Sequence, residues 1–94
     1  MRVVGEGVID KAIKKHGDLS GPLSAWFKIA SMETWQGLND IRKTFPSTDG
    51  VAGKFVFNIK GNSYRLIATI NFRSQILFIE HVLTHAEYDK GDWK

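Results

Sequence analysis

Residues 55–66 read Phe-Val-Phe-Asn-Ile-Lys-Gly-Asn-Ser-Tyr-Arg-Leu, and this stretch decides the fold class. Apolar and polar side chains alternate on both sides of Gly61-Asn62, which is the pattern of two β-strands. Glycine followed by asparagine between such strands predicts a two-residue hairpin turn, with Gly61 supplying the positive φ of a type II′ turn. The predicted cross-strand pairs are Lys60 with Ser63, Asn58 with Arg65, and Val56 with Ile67.

This register gives the hairpin two different faces. The apolar face must pack on the helices and carries Phe55, Phe57, Ile59, Tyr64, Leu66 and Ala68. The opposite face carries Lys54, Asn58, Lys60, Arg65, Thr69, Asn71 and Arg73. Because so basic a face is not buried without anionic partners, it is either plain solvated surface or a binding face.

The sequence around the hairpin predicts an α+β domain that spans residues 1–94. Apolar residues at helical spacing predict one helix from Glu6 to about Gly17, a second with Ser20 as its N-cap, and a third over Leu38–Phe45. Residues 47–50 are turn material. Short strands are expected at residues 2–4, 63–72 and 75–83. Thr84-His85-Ala86-Glu87 has the form of a capping box, so a short final helix should begin at Thr84.

Composition restricts the class of protein. Thirteen Lys and Arg against ten Asp and Glu give a net charge of +3, and cysteine is absent. Residues 54–81 contain four basic residues, Lys54, Lys60, Arg65 and Arg73, but only one acid, Glu80. No apolar run approaches the roughly 20 residues that span a bilayer, and no secretory signal begins the chain. We therefore expect a cytoplasmic protein without a membrane partner, carrying a basic sheet beside a more neutral helical layer.

The segment Thr84–Lys90 places an imidazole, a phenol and an ammonium group directly after an apolar strand. Cleavage of RNA by its own 2′-hydroxyl needs a base, an acid and cations that stabilise the phosphorane. His85 is the natural acid or base, since imidazole titrates nearest neutral pH; alternatively it is only a polar residue in a helical turn. Tyr88 lies one turn further on and either stacks on a base, donates a proton, or caps a small core.

Cationic side chains near the hairpin are the candidates for holding phosphate. Arg65 offers a bidentate fork and Lys60 a point charge, although both could simply keep a sheet edge soluble. Arg73 and Lys90 are weaker candidates of the same kind, and Lys54, Asn58 and Asn71 lie on the basic face where RNA would bind. His81 is expected to be a hydrogen-bonded core residue, whereas Trp35 and Trp93 fall outside the periodic patterns and could be exposed. No cofactor is expected, and no ligand spacing indicates a metal site.

Four segments in the right order carry a resemblance that covers almost the whole chain. They are Ala25-Trp26-Phe27-Lys28, Phe45-Pro46-Ser47, residues 56–66, and Thr84-His85-Ala86-Glu87-Tyr88-Asp89-Lys90. Together they resemble the HigB family of bacterial toxins, within the RelE-like group. The resemblance implies a RelE-like α+β fold, with two to three N-terminal helices on one face of a small antiparallel sheet and a short C-terminal helix.

The resemblance also implies an activity and partners. It implies a toxin of a type II toxin–antitoxin system, an endoribonuclease that cuts translated mRNA in the ribosomal A site by metal-free attack of the 2′-hydroxyl. It implies a HigA-like antitoxin with a helix-turn-helix, and contact with operator DNA only through that antitoxin. The catalytic residues it implies are Lys60, Arg65, His85, Tyr88 and Lys90. Two alternatives stay open: a non-catalytic RNA- or ribosome-binding module, and a degenerate toxin that is retained to bind its antitoxin.

Overall fold

The computed structural model describes residues 1–94 and contains five strands and four α-helices. The elements are β1 (Arg2–Val4), α1 (Glu6–Lys15), α2 (Ser20–Met32), α3 (Leu38–Thr44), β2 (Asp49–Val51), β3 (Lys54–Ile59), β4 (Tyr64–Asn71), β5 (Ile76–Thr84) and α4 (His85–Lys90). A 3-10 turn, Gly17–Leu19, joins α1 to α2. None of the helices is long and apolar enough to cross a membrane.

The strands form one mixed sheet in the order β1-β5-β4-β3-β2. β1 lies parallel to β5, while the other three pairings are antiparallel. The predicted α+β architecture is confirmed, with the parallel edge strand as an addition. Residues 49–51, part of which were expected to form a turn, instead form the short edge strand β2, because each pairs with a residue of β3.

The predicted register is confirmed at two of its three named pairs, Asn58 with Arg65 and Val56 with Ile67. The third pair, Lys60 with Ser63, was wrong, because residues 60–63 form a four-residue loop between the strands. Gly61 has a φ of 65°, as its turn position requires, but Lys60 also has a positive φ of 53°. The paired ladder therefore ends at Ile59, and Lys60 belongs to the loop. A left-handed conformation at a non-glycine residue costs about 1 kcal/mol or more, which the surrounding contacts must offset.

The main core lies between α1–α3 and the predicted apolar face of the hairpin. Phe57, Ile59, Leu66 and Ala68 are buried there against the apolar stripes of the helices, including Trp26. Trp35 is also buried, at 2% exposure, contrary to expectation. It packs 5.9 Å from the Phe45 ring and 6.1 Å from the Phe57 ring, both distances being measured between centroids. Large aromatic side chains thus supply much of the buried area in a chain of only 94 residues.

A second, smaller core covers the face of the sheet that is turned away from α1–α3, which we call the second face. Val56 and Ile67 alternate with the basic residues of that face and are buried beneath Trp93, which is 6% exposed. The expectation that Trp93 is exposed was therefore wrong, because the chain turns back after α4 and lays its indole over the sheet. α4 and the residues after it consequently lie on the face opposite α1–α3.

The N-cap prediction for Ser20 was also wrong in detail. The 3-10 turn runs directly into α2, so Leu19 occupies the N-cap position and no side chain caps the helix. By contrast, α3 ends at Thr44, just before Phe45 and Pro46, as predicted.

Candidate active site

The start of α4 is fixed by the predicted capping box. The Thr84 hydroxyl accepts a hydrogen bond from the Glu87 backbone N–H at 3.1 Å, and the Glu87 carboxylate accepts one from the Thr84 N–H at 2.9 Å. The backbone hydrogen bond from Thr84 lowers the pKa of Glu87. The His85 N–H also donates to the Ser63 carbonyl at 3.1 Å. The hairpin loop and the first turn of α4 are therefore joined.

Arg65 lies beneath this junction with only 9% of its surface exposed. Its Nη1 donates to the backbone oxygens of Asn62 at 3.1 Å and Tyr64 at 3.2 Å, and its Nη2 donates to Asn62 Oδ1 at 2.6 Å. These bonds fix the guanidinium plane before any ligand arrives. Asn62, which the sequence had suggested only as a turn residue, is thus the side chain that holds Arg65.

The opposite side of the Arg65 guanidinium faces an aromatic stack. Its central carbon lies 5.4 Å from the centre of the Tyr88 ring, in a cation–π arrangement. The Tyr88 ring stacks in turn on Trp93, with centroids 5.0 Å apart and planes 15° apart. Trp93 Nε1 donates to the Tyr88 carbonyl at 2.9 Å. Tyr88 therefore contributes to the second core and also supports Arg65.

His85 is exposed on the first turn of α4. Its Nδ1 lies 3.0 Å from Asp89 Oδ2, one helical turn away. A carboxylate on one ring nitrogen orients the imidazole and leaves Nε2 for a ligand, which is the arrangement that a general acid or base uses. Asp89 was not among the residues predicted for the site, although its position four residues after His85 was a readable signal.

Lys90 lies beside a cleft of about 260 Å³ between β5 and the end of the chain. The cleft is lined by His81, Leu83, Glu87, Lys90, Asp92 and Trp93. His81 is half-buried rather than a core residue, and its side chain makes no hydrogen bond. The reason is a β-bulge in β5, because Ala68 pairs with Ile79 and Ile67 pairs with His81, which leaves Glu80 as an extra residue. The bulge puts His81 on the same face of the sheet as Ile67, the second face.

Lys60 is not on the face where alternation places it. Its ammonium group lies 2.6 Å from Asp18 Oδ2, in the 3-10 turn of the helical layer. The Tyr64 hydroxyl donates to Asp18 Oδ1 at 3.3 Å. The positive φ at Lys60 removes it from the strand alternation and turns its side chain toward the helices. The structure therefore separates Lys60 from Arg65, correcting the expectation that the two share a face.

This cluster shifts the pKa values of all three of its groups. The hydrogen bond from Lys60 lowers the pKa of Asp18, and the hydrogen bond to Asp18 raises the pKa of Lys60. Burial, followed by the Asp18 charge, raises the pKa of Tyr64. Lys60 is therefore a fully charged ammonium whose charge Asp18 partly neutralises.

Lys54 and Asn58 do lie on the second face. Asn58 is half-buried beside Arg65, its partner across the ladder. The Lys54 ammonium contacts Glu80 Oε1 at 2.7 Å and donates to the Trp93 carbonyl at 3.1 Å. The hydrogen bond from Lys54 lowers the pKa of Glu80. Lys54 thus anchors the end of the chain, and Asn58 is the polar neighbour of the guanidinium.

Asn71 and Arg73 lie away from the other candidate residues. Asn71 ends β4, six residues from Arg65, a separation of about 20 Å along a strand. Its Oδ1 accepts a hydrogen bond from the Ser74 N–H at 3.1 Å, which closes the turn before β5. Arg73 is exposed in that turn. The structure therefore does not bring Asn71 and Arg73 to the site formed by Arg65, His85, Tyr88 and Lys90.

The side chains of the candidate site are suited to binding an anionic ligand such as a phosphate group. A fixed guanidinium, an oriented imidazole and a nearby ammonium lie around one helix of a protein with a net charge of +3. No group of three or more His, Cys, Asp and Glu side chains is placed to hold a metal ion. What the site offers a ligand is charge stabilisation beside a group that can move a proton.

Helices on one face of a small mixed sheet, with a short C-terminal helix on the other, constitute the RelE-like α+β fold. The chain belongs to the HigB toxin family, described as the RelE-like toxic component of a toxin–antitoxin system, whose family model matches residues 19–91. The resemblance noted from sequence is thus confirmed.

Curated relatives extend over nearly the whole chain. One is the "mRNA interferase HigB" of Escherichia coli O6:H1 (strain CFT073), which is 26% identical over 93 residues, or 96% of this chain and 90% of the relative. The "mRNA interferase toxin HigB" of E. coli K12 is 28% identical over 92 residues, covering 95% of this chain and 88% of the relative. The "mRNA interferase HigB" of Shigella flexneri has the same identity and coverage.

Proposed function

We propose that this toxin is an endoribonuclease that cleaves translated mRNA on the ribosome. The observation that carries the proposal is the Arg65 guanidinium, held by Asn62 and packed on Tyr88 of α4, the helix that also carries the exposed His85–Asp89 pair. The relatives named mRNA interferases support the same activity.

The proposed reaction is transesterification within the RNA. The 2′-oxygen attacks the adjacent phosphorus, the bond from phosphorus to the 5′-oxygen breaks, and the products are a 2′,3′-cyclic phosphate and a 5′-hydroxyl. One group removes the 2′ proton and another protonates the departing 5′-oxygen. His85 is the residue we assign to one of these two transfers, because its imidazole is exposed and oriented by Asp89.

Arg65 and the lysines have electrostatic roles in this proposal. Charge accumulates on the non-bridging oxygens of the phosphorane, and a guanidinium that is already oriented stabilises that charge without reorganisation. Tyr88 acts through its ring by holding Arg65, since its hydroxyl makes no hydrogen bond in the structure whereas its ring contacts both Arg65 and Trp93. Lys90 adds positive charge at the cleft. Lys60 contributes from the neighbouring surface once RNA competes with Asp18 for its ammonium group.

The proposed partners follow from the same assignment. Membership of a toxin family supports an antitoxin in general, and we propose a HigA-like antitoxin with a helix-turn-helix, through which the complex would contact operator DNA. On the ribosome, we propose that the toxin occupies the A site, where Arg65 and His85 would meet the mRNA backbone.

The test is brief expression of the toxin from a tight promoter, followed by mapping of 5′ ends on a reporter mRNA with and without its start codon. New ends inside the reading frame, only when the start codon is present, are the expected result. Cuts on both transcripts would contradict the ribosomal part of the proposal. The absence of cuts, with growth arrest retained, would favour a ribosome-binding module that does not cleave.

A further inference from the structure

The sheet is left incomplete along the outer edge of β5. Only the first three of the nine residues of β5, Ile76–Phe78, pair with β1. The backbone of residues 80–83 forms no hydrogen bond to α1 or to any strand other than β4. We call this stretch, about 13 Å long at 3.3 Å per residue, the open edge. An unpaired row of N–H and C=O groups is a template for another strand.

The pairing with β1 stops because the chain turns at Gly5. Its φ of 111° directs the backbone away from the sheet and into α1. A Cβ at this position would lie 2.8 Å from the Ile79 carbonyl oxygen, so only glycine permits the close approach. The open edge therefore begins directly after Ile79, as a fixed consequence of how β1 ends.

A groove runs between α1 and the open edge. It has a volume of about 290 Å³ and is lined by Val8, Lys11, Ala12, Lys15, Glu80, His81, Val82 and Leu83. The two carboxylates near the groove already have partners, since Glu80 forms an ion pair with Lys54 and Glu87 accepts a hydrogen bond from the Thr84 N–H. Lys11 and Lys15 are exposed and form no ion pair. The groove thus combines an apolar floor with a positively charged rim.

Two exposed apolar side chains lie beyond the end of this groove, on the neighbouring pair of strands β1 and β5. Val4 and Phe78 are partners in the β1–β5 register and are 37% and 43% exposed. Apolar side chains exposed beside an unpaired strand edge mark a surface that binds another polypeptide. The unpaired backbone groups of the open edge match those of another polypeptide strand rather than RNA, and the groove offers only two lysines to phosphates.

We propose that the open edge is a docking site for the antitoxin, which adds an extended segment as a strand beside β5, in line with β1. The segment would place apolar side chains on Val8, Val82 and Phe78 and acidic side chains against Lys11 and Lys15. Main-chain hydrogen bonds to residues 80–83 supply affinity, and the two lysines select an acidic partner. The proposal rests on membership of a toxin–antitoxin family and on this edge, and it does not depend on RNA cleavage.

The first test is hydrogen–deuterium exchange of the full chain, alone and in complex with its full-length antitoxin. Strand addition predicts that backbone amides within residues 79–84 exchange at least tenfold more slowly in the complex. Protection confined to the hairpin and α4 would overturn the proposal. Protection of residues 79–84 in the toxin alone, rising with its concentration, would assign the edge to a second copy of the chain and would also overturn it.

The second test is a pair of matched charge variants. Lys11→Glu with Lys15→Glu should weaken antitoxin binding at least thirtyfold by calorimetry. Lys14→Glu with Lys28→Glu makes the same change in net charge on exposed helical positions outside the groove and should change binding less than threefold. Equal effects in the two variants would contradict docking at this edge, as would weakened ribosome binding with unchanged antitoxin binding in the first variant.

A third test compares the loss of an exposed apolar side chain beside the open edge with the loss of one elsewhere on the surface. Phe78→Ser should weaken antitoxin binding at least tenfold, whereas Met32→Ser, at a side chain that is 76% exposed at the end of α2, should not. Urea denaturation of each variant reports whether it is folded. Growth arrest in the absence of antitoxin should be retained by Lys11→Glu with Lys15→Glu, so that a failure of docking and a failure of the proposed cleavage remain distinguishable.

Discussion

The Arg65 guanidinium lies 5.4 Å from the centre of the Tyr88 ring and joins β4 to α4. Asn62 holds the same guanidinium from the hairpin side, with 2.6 Å between Nη2 and Oδ1. The hairpin residue Asn62 and the C-terminal helix residue Tyr88, 26 residues apart in sequence, therefore position one cation together. The proposed activity depends on this arrangement, and changes at Arg65 and Tyr88 alter it directly.

Arg65→Lys should abolish function although it retains the charge. Lysine cannot make the forked bonds to Asn62 and Tyr64 while also lying over Tyr88. We expect cleavage to fall at least 100-fold and the free energy of unfolding to fall by about 1–2 kcal/mol. Primer extension on a translated reporter and urea denaturation measure the two effects. Arg73→Lys, in the turn at the far end of β4, is the matched control and should behave as wild type; wild-type cleavage by Arg65→Lys would refute the proposed role.

Tyr88→Phe and Tyr88→Ala separate the ring from the hydroxyl. Because the ring contacts Arg65 and Trp93, Tyr88→Phe should keep cleavage within about threefold of wild type. Tyr88→Ala removes the support for Arg65 and should lower both cleavage and stability, the latter by about 3 kcal/mol. If Tyr88→Phe loses cleavage while its stability is unchanged, then the hydroxyl takes part in proton transfer.

Asp18→Asn should increase the affinity of the protein for ribosomes. Asp18 holds the Lys60 ammonium at 2.6 Å, and removing its charge leaves that ammonium free to contact phosphate. We expect affinity to rise about threefold or more at low salt, with a steeper dependence on salt that corresponds to about one further phosphate contact. Ribosome pelleting over a salt series measures this change. Asp10→Asn, at an exposed position on α1, is the control; identical salt slopes for the two variants would show that Lys60 does not reach RNA.

The Lys54–Glu80 pair should make stability depend on pH in the acid range. The pKa of Glu80 is lowered in the folded state from its ordinary value of 4.5, with the hydrogen bond from Lys54 as the main cause. A lowered pKa contributes stability above the ordinary value, and that contribution is lost as the pH falls through the folded value. Glu80→Gln should therefore be less stable than wild type at pH 7 by about 1 kcal/mol or less, and the difference should shrink toward pH 3.

Urea denaturation at a series of pH values between 3 and 7 measures that difference. Asp10→Asn, which removes a carboxylate that forms no ion pair, should follow the wild-type pH profile. A constant difference between Glu80→Gln and wild type across the whole range would mean that the stability comes from packing and not from the charge of Glu80.

Trp93→Ala tests whether the second core holds the end of the chain. Trp93 is 6% exposed, packs on Val56 and Ile67, and presents its carbonyl to Lys54. Removing a buried indole costs about 3–5 kcal/mol, and we expect the midpoint of urea denaturation to fall accordingly. Phe78→Ala, at an exposed aromatic residue on the same sheet, should cost much less; equal losses would mean that Trp93 is not part of a core.

The hairpin and α4 were predictable from sequence because their signals are local. Alternation around Gly61-Asn62 fixed the cross-strand pairs, and Thr84 with Glu87 identified the capping box. Three other features depend on contacts that local patterns do not contain. The positive φ of Lys60 moves its side chain to Asp18, the extra residue Glu80 rotates His81 onto the second face, and Trp93 returns to cover Val56 and Ile67. Arg65 and Tyr88 are therefore in contact, whereas Lys60, Asn71 and Arg73 lie elsewhere.

Ribosome-dependent cleavage by Arg65 and His85 is tested by single-turnover cleavage of an mRNA on ribosomes programmed with a defined codon in the A site, using purified toxin. We expect a cut at that codon that requires the ribosome, leaves a 2′,3′-cyclic phosphate and a 5′-hydroxyl, and slows at least 100-fold in Arg65→Lys and in His85→Ala. Cleavage that is unchanged in both variants, or the absence of any cut by the wild-type protein, would contradict that expectation.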